Sequence, residues 1–151
     1  MQTFYDILDT LKDQLELDTN VNTVSQGAID DIDIIKQSMY PLSHIMVNQA
    51  TIEVNVWRFN VTIFCMDVVD INNDVATNNF RGNDNEQDVL NTQLAVFNRV
   101  YAVLTKGANA GQFRIDGNPT CEPFTERFEN YLAGWACTFE ILIPNVMTYC
   151  D

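Results

Sequence analysis

The sequence is poor in the residues that build zinc sites and nucleophilic dyads. It contains one histidine, His44, and its four cysteines show no Cys-x-x-Cys spacing. A histidine-based zinc site is therefore excluded, and a Ser-His-Asp or Cys-His arrangement is excluded unless His44 itself serves. Because His44 stands beside Ile45 and Val47 in a strand pattern, we interpret it as a structural or edge residue. The sequence predicts no catalytic residue, no metal site and no cofactor.

Positive charge is also scarce, with 8 Lys and Arg residues against 21 Asp and Glu, a formal net charge of −13. Proteins that hold nucleic acid neutralise its phosphates with lysine and arginine, so this balance disfavours a nucleic-acid-binding role. The excess acidic charge is spread along the chain and is not gathered in a tail. An acidic, solvated surface is the expected result.

Long hydrophobic runs are missing as well. No apolar stretch approaches the roughly 18 residues that a membrane span needs, and the first residues lack the basic and apolar regions of a signal peptide. We expect a soluble protein without a membrane partner, made in the cytoplasm and folded as one domain over residues 1–151. Cys65 and Cys137 lie inside apolar strand patterns, where reduced thiols pack as small hydrophobic groups.

Two amphipathic helices are predicted. The first covers residues 4–17 after Thr3 as N-cap, and the second follows Asp84 as N-cap, has Gln87 three residues later and ends at Gly107. Their apolar stripes are Phe4, Ile7, Leu8, Leu11 and Leu15 in the first helix, and Leu90, Leu94, Phe97, Tyr101 and Leu104 in the second.

The β signals are stronger than the helical ones. Residues 54–69 alternate, with Trp57, Phe59, Val61, Ile63 and Cys65 on one face, and residues 131–143 alternate until Pro144. Further strands are predicted within 21–40, where a short strand precedes an irregular loop, at 42–48, and at 113–115 among turns that span 108–123. Residues 49–53 fit either a turn or more strand, which leaves a long hairpin open. The fold class is α+β: an antiparallel or mixed sheet with two helices packed on one face.

Several short motifs prove incidental. Asp70, Asn72 and Asp74 have the spacing that opens a calcium loop, but Val75 and Arg81 stand where glycine and glutamate are required. The segment 107–111 lacks the Lys-Ser/Thr ending of a phosphate-binding loop, and the glycosylation sequon at 60–62 lies within a strand. Residues 71–85 are rich in Asn and Asp, which predicts an exposed loop and a candidate contact arm.

Four segments carry a resemblance to a known family: 3–9, with the sequence TFYDILD; 58–70, RFNVTIFCMDVVD; 82–90, GNDNEQDVL; and 132–141, LAGWACTFEI. Together with the order of elements, they resemble the tail-terminator and tail-completion proteins of tailed bacteriophages and related proteins of the head-to-tail neck. The resemblance covers nearly the whole chain and rests on packing patterns, so it transfers no active-site residues.

The resemblance implies a virion structural protein of the phage tail or neck. Such a subunit forms a closed homo-oligomeric ring, with a hexamer favoured and a dodecamer as the alternative, and DNA passes the bore without specific binding. Its other partners would be the adjacent neck, portal or tail-tube proteins. A monomeric or dimeric acidic module that binds one protein partner is the alternative function, and an enzyme of unrecognised type is the third.

A ring that closes by rotation needs two different complementary surfaces on each subunit. A sheet edge together with the 71–85 loop would provide one of them. The predicted interface residues are Asp30, Asp31, Asp33, Asn78, Asn79, Phe80, Arg81, Asn83 and Asp84.

Overall fold

The computed structural model describes residues 4–27, 40–69, 80, 85–106, 114–125 and 132–144. These residues form two helices and five strands. In chain order the elements are α1 (Phe4–Glu16), β1 (Thr23–Gln26), β2 (Leu42–Ile52), β3 (Val56–Val68), α2 (Glu86–Lys106), β4 (Arg114–Thr125) and β5 (Leu132–Pro144).

The five strands form one mixed sheet in the order β1-β2-β3-β5-β4. The short β1 runs parallel to β2, and every other neighbouring pair is antiparallel. β2 continues past its predicted end to Ile52, so β2 and β3 form a long hairpin whose turn is Glu53, Val54 and Asn55. The turn closes with a 2.9 Å hydrogen bond from the Glu53 N–H to the carbonyl oxygen of Val56.

The main core lies between one face of the sheet and the two helices, as the α+β prediction required. Because side chains alternate along a strand, every second residue of β3 from Phe59 to Cys65 faces the helices. The helix α1 supplies Ile7, Leu11 and Leu15, which are spaced four residues apart and are fully buried. A second buried cluster, on the other face of the sheet, contains Leu42, Phe64, Met66, Phe124, Leu132 and Tyr40.

The buried face of α2 differs from the predicted stripe. The residues that it buries are Val89, Gln93, Val96, Phe97, Val100 and Leu104. Leu94 is 37% exposed, while Leu90 and Tyr101 are only half-buried. The helix carries two overlapping apolar stripes. The central strands cover one of them, and the other faces the groove beside the edge strand β4.

The prediction of a short strand at 113–115 was wrong, because β4 runs for 12 residues and reaches Thr125. Pro119 and Pro123 had indicated turns, since proline cannot donate to a central ladder. β4 is the outermost strand, however, and there a missing N–H costs little. A bulge between Asp116 and Thr120, with Gly117 at a φ of 71°, takes up the extra residues.

An ion pair joins the end of α1 to α2. The Arg99 guanidinium donates two hydrogen bonds to the Asp18 carboxylate, from Nε to Oδ2 at 2.5 Å and from Nη2 to Oδ1 at 2.9 Å. Burial alone would raise the pKa of Asp18, but the hydrogen bonds from Arg99 and Asn20 and the positive charge of Arg99 lower it overall. The folded state therefore favours the charged form of Asp18.

Gly134 occupies a place on β5 that admits no side chain. A Cβ there would collide with the carbonyl oxygen of Cys65 and lie 2.7 Å from the Cα of Met66. We expect Gly134→Ala to lower the free energy of unfolding by roughly 3 kcal/mol or more, measured by urea denaturation. Gly117→Ala is the control: its surroundings are open, so only the strain of its positive φ is expected, about 1 kcal/mol. Equal losses for the two variants would contradict the close approach.

The lowered pKa of Asp18 predicts a pH-dependent contribution to stability. Asp18→Asn should lower the free energy of unfolding by about 1 kcal/mol at pH 7, because it removes a charged, bidentate partner of the half-exposed Arg99. A carboxyl with a depressed folded pKa stabilises the fold above its unfolded pKa of about 3.9, and this is lost as the pH falls through the folded pKa. The difference from wild type should thus shrink below pH 4.

Urea denaturation at a series of pH values measures this difference. Asp13→Asn, which removes an exposed carboxylate from α1, is the control and should show no comparable loss at pH 7. An Asp18→Asn effect of the same size at pH 7 and at pH 2 would contradict the assignment.

Candidate assembly surface

Most of the residues predicted to form an interface lie outside the described part of the chain. These are Asp30, Asp31, Asp33, Asn78, Asn79, Arg81, Asn83 and Asp84. Phe80 is described: its side chain is 77% exposed, and its carbonyl oxygen accepts a 2.8 Å hydrogen bond from Nε2 of Gln87. The calcium-like segment 70–74 and the glycine-containing segment 107–111 also fall outside the described residues.

An exposed apolar surface lies instead at the turn between β2 and β3. Ile52, the last residue of β2, is 75% exposed, and Val54 in the turn is 91% exposed. On β3, Trp57 is the cross-strand partner of Ile52. At the start of α1, Phe4 and Tyr5 are exposed as well, although the sequence had placed Phe4 in the buried stripe of its helix.

Ring contacts connect the aromatic members of this surface. The ring of Phe4 lies 6.0 Å from that of Phe59 and 6.5 Å from that of Tyr5, measured between centroids. Trp57 contacts Phe59 edge-on, at 6.4 Å. We name the set of Phe4, Tyr5, Ile52, Val54 and Trp57 the hairpin patch. Exposed apolar side chains grouped in one region are typical of interaction sites, whereas single exposed apolar residues are not informative.

Arg58 holds the hairpin from the opposite face of the sheet. Its Nη1 donates hydrogen bonds to Oδ2 of Asp116 on β4 and, at 2.8 Å, to Oε2 of Glu140 on β5. Its Nε lies 3.5 Å from Oε1 of Glu53 in the hairpin turn. The hydrogen bonds to Asp116 and Glu140 raise the pKa of Arg58, so the guanidinium stays charged. One arginine thus ties the turn to two other strands.

A row of polar side chains continues along the same face. Nδ2 of Asn48 donates to Oδ1 of Asn60 and to Oγ1 of Thr62, both at 2.8 Å. Oγ1 of Thr62 lies 3.0 Å from Oγ1 of Thr138, so the row crosses β2, β3 and β5. Asn60, the first residue of the sequon, lies within β3, where the sequence analysis placed it.

A second uncharged surface lies between α2 and β4. It is a groove of about 430 Å³, lined by Leu94, Phe97 and Tyr101 from α2 and by Pro119 and Cys121 from β4, among others. None of the described residues that line it is charged. It is the place where the uncovered stripe of α2 meets the edge strand.

His44 has the structural role that the sequence indicated. Its ring is buried, with Nδ1 at 2.7 Å from Oγ of Ser25 and Nε2 at 2.7 Å from the carbonyl oxygen of Gly27. Because a carbonyl oxygen only accepts, Nε2 donates to Gly27, and in the neutral ring Nδ1 accepts from the Ser25 hydroxyl. Both ring nitrogens are engaged, and the imidazole joins β1 and its following residue to β2.

The cysteines in the core are free thiols, as predicted. Cys65 and Cys137 are fully buried. Burial raises the pKa of the Cys65 thiol to about 12 and raises that of Cys137 as well, so both stay protonated. Cys121 is a free, half-buried thiol, and Cys150 lies outside the described residues.

Neither helix in the described part of the chain has the length and apolar character needed to cross a membrane. Over the same residues, no three His, Cys, Asp or Glu side chains come together as metal ligands would. A scan against models of protein families found no match, and a search of curated proteins found none either.

The hairpin patch is not among the predicted interface residues, for an identifiable reason. The sequence of residues 49–53 fits either a turn or more strand, and the exposure of Ile52 depends on which of the two applies. A usable signal was the presence of Ile52 and Val54 on either side of Glu53, because turns are normally built from polar residues, glycine and proline.

Ile52 and Val54 form the tip of the hairpin patch. Because both are exposed, we expect them to contribute little to the free energy of unfolding. Ile52→Ser and Val54→Ser should each change the free energy of unfolding of the monomer by less than about 0.5 kcal/mol in urea denaturation. Ile143→Ala provides the contrast: this isoleucine is fully buried opposite Trp57, and its truncation should cost roughly 2–5 kcal/mol. A loss of several kcal/mol at Ile52 or Val54 would instead assign them to the core.

Proposed function

We propose that the chain is a virion structural subunit of a tailed bacteriophage that assembles into a closed ring, as a tail terminator or a head-to-tail neck connector. The observation that carries the proposal is the hairpin patch, a group of exposed apolar side chains around a half-buried tryptophan on a strongly acidic chain. Surfaces of this kind mark sites of association, and their residues are buried when a partner binds.

The resemblance of four sequence segments to tail-terminator and tail-completion proteins supports the phage assignment. The described architecture is compatible with it, because the resemblance implies a small sheet flanked by helices and the chain has a five-stranded mixed sheet with two helices on one face. Segment 58–70 contributes most of β3, and segment 132–141 contributes most of β5. These two strands form the centre of the sheet.

The charge of the chain supports a role as a conduit for DNA. Each copy brings a formal charge of −13 to the ring, and whatever part of it lines the bore repels the phosphates of a passing duplex. A surface without excess positive charge offers DNA no counterion-release gain. Passage without adhesion is the expected behaviour.

The ring is tested by native mass spectrometry and electron microscopy of the purified chain. We expect a mass of six or twelve times the 17.2 kDa subunit, because the resemblance implies a hexamer or a dodecamer, and images with rotational symmetry. In a binding assay at physiological salt, the ring should not bind duplex DNA tightly or with a steep salt dependence.

The alternative of an acidic module for one protein partner predicts a different outcome. The chain would then stay monomeric or dimeric at high concentration, and cryo-electron microscopy of the particle from its source would contain no ring built from it. That combination of results would refute the proposal. Tight DNA binding by an intact ring would leave the ring in place and refute the passive conduit.

A further inference from the structure

The hairpin patch and the α2–β4 groove are two different surfaces of the subunit. The patch lies around the turn that joins β2 to β3, and the groove lies between α2 and the edge strand β4. No residue belongs to both. A closed ring is built by repeating one contact between two different surfaces of each copy.

We propose that the tip of the hairpin patch of one copy docks in the α2–β4 groove of the next copy. The proposal rests on the proposed ring and names the contact that builds it. Ile52 and Val54 enter the groove and pack against Leu94, Phe97 and Tyr101. A cavity of about 430 Å³ falls in the size range of sites that enclose whole small ligands, so it has room for two aliphatic side chains.

The balance of charge identifies the occupant as a second copy of the chain. Two copies with a formal charge of −13 each repel one another over most of their surface, and they approach at low cost only where charge is absent. The residues of the hairpin patch are uncharged, and the carboxylate of Glu53, between Ile52 and Val54, is paired with Arg58 at 3.5 Å. No described residue that lines the groove is charged. A basic partner would gain more from the acidic surface elsewhere than from either of these sites.

Both ends of the contact carry side chains that are incompletely covered in the single subunit. Val54 is almost fully exposed, and Leu94 is the most exposed large apolar residue of α2. Leu94 lies outside the buried face of α2. A docked hairpin removes both side chains from water in one step, which is the packing that the centre of a protein interface requires.

Single substitutions separate the two ends of the contact. Val54→Asp places a charge on the hairpin tip and leaves the groove intact, whereas Leu94→Glu places a charge in the groove and leaves the hairpin intact. Each variant alone should weaken self-association at least about tenfold in sedimentation experiments, because the introduced carboxylate would be buried without a partner. Asn98→Glu, at an exposed lining position of α2, replaces Leu94→Glu if that variant unfolds.

Leu17→Asp is the matched control. Leu17 is 76% exposed, close to the value for Ile52, but it follows α1 and belongs to neither surface. This variant should form the same ring as wild type. Circular dichroism and thermal unfolding check that every variant keeps the fold.

Mixing the two variants tests the direction of the contact. The Leu94→Glu copy still offers a hairpin, and the Val54→Asp copy still offers a groove, so an equimolar mixture should form a heterodimer. The heterodimer should not grow further, because its remaining hairpin and groove are both blocked. A symmetric contact between two hairpins would give the opposite pattern, in which Leu94→Glu associates alone and mixing adds nothing.

The outcomes separate the contact from the ring itself. Rings of wild-type size from either folded variant, or no heterodimer in the mixture, would overturn the hairpin-in-groove contact and leave the ring in place. A wild-type chain that stays monomeric at all concentrations, and is absent from any ring in the source particle, would overturn both.

Discussion

The pairing of β3 with β5 is the constraint on which the other elements depend. The two strands run antiparallel without a register shift from Val56 opposite Pro144 to Val68 opposite Leu132. A slip by one residue would exchange the core-facing and outward-facing side chains of a whole strand. Gly134 resists such a slip, because the backbone of β3 passes too close for any residue with a Cβ. β2 then pairs with β3, and β4 pairs with β5. The helices pack on the face of the sheet that this pairing has already made apolar.

Sequence periodicity predicted the central strands β3 and β5 well and the elements around them poorly. Long alternating patterns identified β3 and β5, because a buried face imposes a period of two along every strand. β4 was missed because Pro119 and Pro123 are turn signals locally, and only their position on an edge strand makes them compatible with pairing. The buried face of α2 was also mispredicted. The helix has two apolar stripes, and which of them is buried depends on how the helix packs on the sheet. The exposure of Ile52 and Val54 likewise depends on the folded hairpin. Isoleucine and valine are usually buried, so the residue types alone would predict core positions.

Repulsion between acidic copies would restrict contacts between them to the few surfaces that carry little charge. At physiological salt, screening reduces interactions beyond about 8 Å, but charges brought together in an interface lie closer than that. Three carboxylates contact Arg58: that of Glu53 in the hairpin turn, that of Asp116 on β4 and that of Glu140 on β5. Arg58 neutralises part of this cluster from within the subunit. The tip of the hairpin can then approach another acidic copy with less repulsion than the composition alone would suggest.

The same arginine bears on the affinity that an apolar tip can provide. Binding is weaker when a mobile segment must be ordered at the interface. A flexible hairpin would therefore lose conformational entropy on binding, and this loss would offset much of the free energy gained by burying its apolar side chains. Arg58 joins the turn to β4 and β5, and the row from Asn48 to Thr138 joins β2 to β3 and β5. The hairpin is therefore held in one orientation before any contact forms. In the proposed ring, the sheet would hold the hairpin turn and the α2–β4 groove at a fixed angle to each other. That angle, and not the strength of the contact, would set how many copies close the ring.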